Sequence, residues 1–159
     1  MRYLEELLSN GPLWTATIGW AVAQVIKTII DFCFNKKINF ERLVGSGGMP
    51  SCHSATVCAL SSACAMEYGL DSGEFAIALI LAIIVMYDAR GVRRETGTQA
   101  VVLNQLLEFF KQPANRETFK LEINQERLKE LVGHTPFQVL CGAILGIAVG
   151  ILTMTFIFS

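Results

Sequence analysis

The chain has 159 residues, of which 52% are hydrophobic and 17% charged, and its mean hydropathy is +0.45. Soluble domains carry about 45–50% apolar and about 25% charged residues, so an ordinary water-soluble core does not fit this composition. A formal net charge of −1 leaves no basic footprint for a nucleic-acid partner, and the length suits one domain over residues 1–159.

Taken in chain order, the first ten residues carry Glu5 and Glu6 where a signal peptide would need a positive flank. No cleavable leader is expected there. Leu4, Leu7 and Leu8 suggest a short interfacial helix. Residues 13–34 are almost free of charge and long enough to cross a bilayer, which takes roughly 20 apolar residues. Lys27 interrupts them. An ionisable residue inside a span points to function, while its ordinary alternative is a lysine reaching out to the membrane surface. A polar loop with Arg42 follows, and then the glycine-rich run Gly45, Gly47, Gly48, Pro50, Ser51, Cys52, His53. Glycine lets the backbone approach an anion, proline suits a first helical turn, and a helix N-terminus favours bound phosphate.

Residues 54–70 and 75–87 are shorter apolar segments separated by little more than Asp71, Ser72, Gly73 and Glu74, which predicts a tight helical hairpin. Beyond it come Asp88, Arg90, Arg93 and Arg94. Residues 98–111 place Ala100, Val101, Leu103, Leu106, Leu107 and Phe110 on one helical face, the pattern of a surface or docking helix. Residues 112–115 read as a turn, and 119–132 as a second charged helix containing Arg127 and Lys129. His134 then precedes Pro136 and the long apolar segment 136–158. The expected architecture is an all-α integral membrane bundle of about four embedded helices with amphipathic surface helices.

Eleven of the thirteen Lys and Arg residues fall in the loops after the first and third spans. The positive-inside rule makes that face cytoplasmic, with the acidic hairpin tip (Glu67, Asp71, Glu74) and both termini opposite. His53 and His134, the only two histidines, then share the cytoplasmic face. Histidine titrates near neutrality, so a pair can divide nucleophile and general-acid duties. The five cysteines have no paired spacing and read as small packing residues. Without a Cys-x-x-Cys or His-x-x-x-His pattern, zinc is not expected. Cys52 adjoins His53, but sequence neighbours at a helix start point in different directions, which argues against a thiol nucleophile.

Pro50-Ser51-x-His53, joined to His134-x-Pro136-x-x-Val139-x-x-Gly142-x-x-x-Gly146, resembles the type 2 phosphatidic acid phosphatase and vanadium haloperoxidase superfamily. With the Tyr87–Arg94 stretch and Gly133 to Pro136, the chain looks most like its small divergent branch, over about residues 20–151. The resemblance implies a helical, membrane-embedded, metal-independent hydrolase of phosphate monoesters, often of lipids, with no cofactor. It gives His134 the place of the nucleophile that forms a phosphohistidine, and His53 that of the general acid. Ser51 takes the place of the serine that hydrogen-bonds phosphate. Gly48, Arg42, Arg93, Arg94 and Lys27 are the candidate phosphate-binding partners, and Asp88, Gln138 and Lys129 the supporting residues.

The sequence departs from the superfamily pattern at three positions. Cys52 replaces the glycine before the first histidine, and Leu128, flanked by Arg127 and Lys129, replaces an arginine. Gln138 replaces the carboxylate that orients the nucleophile. The implied substrate is a lipid phosphate at the cytoplasmic leaflet of the cell membrane, such as phosphatidic acid, phosphatidylglycerophosphate or a prenyl phosphate. Four short spans carrying polar groups are expected to self-associate. Two other readings use the same histidines: a non-catalytic binder of anionic head groups, which Gln138 favours, and a bis-histidine haem protein. A haem site calls for neither the glycine turn nor the arginines.

Overall fold

The computed structural model describes residues 2–36, 48–111 and 134–158. The expected turn at 112–115 and the charged helix at 119–132 lie outside these residues, as do Arg42, Gly45, Gly47 and Lys129. Every regular element described is an α-helix: α1 (Arg2–Leu8), α2 (Gly11–Asn35), α3 (Cys52–Tyr68), α4 (Gly73–Arg90), α5 (Val92–Lys111) and α6 (Pro136–Phe156).

Local chemistry sets the helix ends. Asn10 caps α2 by accepting the Leu13 N–H at 3.0 Å, with Pro12 in the first turn, and Lys36 closes the helix in the left-handed region (φ 51°). Ser72 caps α4 by accepting the Phe75 N–H at 3.1 Å, so the hairpin between α3 and α4 is as tight as the sequence suggests. Thr135 caps α6 in a capping box. Its hydroxyl accepts the Gln138 N–H, while the Gln138 side chain accepts the Thr135 N–H.

Helix α2, the run beginning at Gly73, and α6 are long and apolar enough to cross a membrane. Helix α3 is different. Its 17 residues extend about 26 Å at 1.5 Å per residue, and it packs against α2, α4 and α6 at once. Protein surrounds it, so alanine, serine and cysteine replace the bulky residues a lipid-facing helix would carry. In a bilayer no hydrophobic effect drives helices together, and close van der Waals contact must do so.

That contact is densest between α3 and α6. A Cβ added to Gly146 would fall on the Ala55 carbonyl oxygen and 2.9 Å from the Ala55 Cα, and one on Gly150 would sit 2.6 Å from the Ser62 Cβ. On the other side of the bundle, a Cβ on Gly19 of α2 would meet the Ala59 Cβ at 2.8 Å. Large residues point the other way: Phe137, Leu140, Ile144 and Ile151 of α6 are all exposed, as lipid-facing side chains should be. Deep in the bundle, away from the histidines, the Thr15 and Thr153 hydroxyls meet at 3.0 Å.

Helix α5 differs from its expected face. It buries Gly97, Ala100 and Asn104, whereas Leu103 and Leu106 are exposed with Val102 and Phe109. Small and polar residues turn inward and large apolar ones outward, the same inversion seen on α6. The apolar residues read as one face of a surface or docking helix are thus divided, with Ala100 buried and Leu103 and Leu106 exposed.

Candidate active site

The N-termini of α3 and α6 come together at one end of the bundle, and each brings a histidine. His53 is the second residue of α3, and His134 immediately precedes the cap of α6. Their ring centroids lie 6.1 Å apart with the ring planes at 61°, an edge-on pair. His134 is buried at 4% exposure, while His53 is half-buried. The positive ends of both helix dipoles point into this region, which favours an anion there.

Backbone bonds hold the two histidine segments in place. The His134 N–H donates to the Ala89 carbonyl in the last turn of α4 at 3.0 Å, and the Ser51 N–H donates to the Gln138 carbonyl at 3.1 Å. The Gln138 amide oxygen lies 2.9 Å from the Thr135 nitrogen and 3.3 Å from Nδ1 of His134. An amide oxygen can only accept, so in a neutral His134 ring this contact favours the tautomer with the proton on Nδ1. Gln138 thus orients the ring without supplying charge.

Lys27 is buried at 4% exposure in α2. It lies one turn beyond Ala23, which packs with Cys52 and Ala55, so it sits at the histidine end of α2. Beside it, the Cys52 thiol donates to the Gln24 amide oxygen at 2.7 Å. All five cysteines are free thiols. Asp88 is half-buried in the last turn of α4, next to the carbonyl that holds His134. Gly48 adopts φ 86°, a conformation that favours glycine, just before α3. Arg93 and Arg94 belong to the first turn of α5, but their side chains lie outside the described residues.

Ser51 occupies an unexpected place. It is fully enclosed, and its hydroxyl caps α3, accepting the Ser54 N–H at 3.4 Å and the Ser54 hydroxyl at 3.1 Å. Ser54, Gln24 and Thr135 are three supporting residues that the sequence reading did not single out. Thr135 was detectable, since Thr-x-x-Gln ahead of an apolar run is a capping-box pattern. Nothing in the sequence marked the Ala89 carbonyl as an anchor. Among the described residues no three His, Cys, Asp or Glu side chains converge as a metal cage.

Residues 8–149 match the profile of a family described as divergent PAP2. The chain belongs to the divergent PAP2 family. It is also 44% identical over 146 residues to the uncharacterized membrane protein YuiD of Bacillus subtilis (strain 168), covering 89% of this chain and 92% of that one. No solved structure matches. The family ties this chain to a phosphatase-related superfamily, and the relative to a membrane setting, in keeping with the long apolar helices. Both histidines and their flanking segments lie within the residues that match the divergent PAP2 profile.

Proposed function

We propose that this protein is a membrane phosphatase that hydrolyses a phosphate monoester of a lipid through a phosphohistidine, without a metal. The observation that carries this reading is the pair of histidine rings, 6.1 Å apart, at the meeting of two helix N-termini. In the proposed reaction Nε2 of His134 attacks phosphorus in line. The bond to the lipid oxygen breaks, and His53 gives that oxygen a proton as it leaves. Water, deprotonated by His53, then attacks the phosphorus and releases phosphate and His134. The backbone N–H groups opening α3, with Gly48, Lys27, Arg42, Arg93 and Arg94, are the proposed partners of the phosphate oxygens. Asp88 and Lys129 are assigned supporting roles.

Under the positive-inside rule the basic loops support a site at the cytoplasmic leaflet of the cell membrane. Phosphatidic acid, phosphatidylglycerophosphate and prenyl phosphates all present a phosphate at that depth. The test is phosphate release by purified protein in lipid micelles from a panel of these three, with and without EDTA, and with vanadate as a pentacoordinate phosphorus mimic. Turnover insensitive to EDTA and blocked by vanadate is expected. A strict magnesium requirement would overturn the metal-independent mechanism.

Gln138 supports a second reading, a non-catalytic binder of anionic head groups, because a neutral amide cannot stabilise an imidazolium as a carboxylate does. The absence of turnover on every lipid, with head-group binding that survives His134→Ala, would establish it.

A further inference from the structure

We propose that a groove along α2 holds one hydrocarbon chain of the lipid whose phosphate reaches the histidines. The proposal rests on a lipid phosphate being the ligand, which the phosphatase and the head-group binder share, and not on turnover.

The groove has a volume of about 340 Å³ and is lined by Trp20, Ala21, Gln24, Val25, Thr28 and Ile29. Ligand pockets span roughly 300–1,000 Å³. Trp20, Gln24 and Thr28 form one row of residues four apart, and Ala21, Val25 and Ile29 the next, so the groove runs between two ridges of the helix. From Trp20 to Ile29 it extends about 14 Å at 1.5 Å per residue. Its two polar residues turn their oxygens to bonds within the protein. The Gln24 amide oxygen accepts the Cys52 thiol at 2.7 Å, and the Thr28 hydroxyl donates to the Gln24 carbonyl at 2.8 Å. Trp20, Val25 and Ile29 are exposed, and a hydrocarbon chain needs no other partner than such a wall.

The position of the groove identifies the chain. The apolar span of α2 runs over Gly11–Cys33, which puts Trp20 near its middle and Ile29 toward the end that carries the histidines. The groove therefore lies in the half of the bilayer next to the candidate site, where the tails of that leaflet lie. It is also continuous with the site, because the side chain of Gln24 touches Cys52, the residue before His53. A lipid with its phosphate at the histidines must send its tails from there toward the bilayer centre, and the groove follows that course. Moving a chain from lipid into the groove gains little hydrophobic energy, since both surroundings are apolar. The groove's contribution is aim. A held tail fixes the phosphate sideways, and displacement at phosphorus is sensitive to position.

The kinetic test compares long-chain and short-chain forms of the best substrate in the lipid panel. Ala21→Phe puts a ring into the groove at an exposed position, leaving the bundle contacts in place. It is expected to lower kcat/KM on the long-chain form about tenfold more than on the short-chain form. Ile77→Phe, on the exposed face of α4, should leave that ratio at the wild-type value. A wild-type ratio in Ala21→Phe would overturn the proposal.

Photolabelling supplies a readout that needs no turnover. Each of the three lipid phosphates, with a diazirine midway along one chain, is added to the protein in phosphatidylcholine nanodiscs, and the label is mapped by mass spectrometry. Labelling is expected to concentrate on residues 20–29 and to be displaced by the unlabelled lipid phosphate but not by the same amount of added phosphatidylcholine. Equal displacement by phosphatidylcholine, or label spread evenly over the exposed faces of α2, α4 and α6, would overturn the proposal. So would a disulfide between two copies through Val25→Cys, which would mean that a second chain fills the groove. If the wild type releases no phosphate while the labelling is as expected, the phosphatase reading fails and the groove stands. Turnover with labelling that phosphatidylcholine displaces equally gives the opposite result.

Discussion

At the scale of single residues, the two histidines differ in what surrounds them. His134 is enclosed and held by its backbone and by Gln138, which suits the nucleophile's role proposed for it. His53 is more open, which suits the proposed general acid that would meet a departing oxygen and then a water. His134→Ala is expected to abolish turnover, by at least about 10³-fold. His53→Ala should slow it by roughly 10²–10⁴-fold with a lipid alkoxide as leaving group, and far less with p-nitrophenolate, which needs no proton. Equal, mild losses in both variants, measured as kcat/KM on the two substrates, would argue against a phosphohistidine. Gln138 gives a sign to the pH dependence. A carboxylate beside Nδ1 favours the charged ring, and only the neutral ring attacks. Gln138→Glu should therefore move the acid limb of the pH–rate profile to higher pH and raise the plateau, while Gln138→Ala should lower the plateau without that shift.

The positions of these residues were unevenly legible. The histidines could be found because each stands beside glycine or proline at the mouth of an apolar helix. The serine in the same motif was visible, but not its enclosure, because that depends on Gly142, which lies 91 positions away in the chain. The bond from Ala89 to His134 is a backbone contact and carries no side-chain signature at all.

At the scale of helices, the same kind of limit applies. The ends of α2, α4 and α6 fall within a few residues of the apolar segments because Asn10, Ser72 and Thr135 announce their caps. The inside-out placement of α5 was not legible, since a hydrophobic stripe does not say whether lipid or protein covers it. Small residues carry the information instead, and Gly142, Gly146 and Gly150 mark the side of α6 that meets α3. Gly146→Val is expected to destabilise the bundle by about 1–3 kcal/mol or more, since the obstacle is backbone that cannot turn aside. Gly73→Ala, where nothing lies within 4 Å of the new Cβ, should leave the thermal midpoint in detergent nearly unchanged. Equal midpoints for both variants would mean that the α3–α6 contact is not where the bundle is held.

For the whole molecule, the direction of each helix follows from its contacts. Gly11, opening α2, lies beside Glu67 near the end of α3, since a Cβ there would come 3.0 Å from the Glu67 carboxylate. Ser51, opening α3, is bonded to Gln138 in α6, and Ala89, closing α4, is bonded to His134. The four packed helices therefore alternate in direction, with Lys36, Arg90 and both histidines at one end and Glu67, Ser72 and Glu74 at the other. A basic end and an acidic end are what the positive-inside rule uses to orient a bundle, because translocating Lys and Arg is disfavoured. The histidine end is expected to face the cytoplasm. In a background with its own cysteines replaced, Lys36→Cys should react with a membrane-impermeant maleimide only after cells are opened, and Ser72→Cys should react in intact cells. The site would then draw its substrate from the inner leaflet, and a lipid phosphate confined to the outer leaflet of right-side-out vesicles should not be hydrolysed. Labelling of Lys36→Cys from outside intact cells would reverse the orientation and, with it, the leaflet that supplies the substrate.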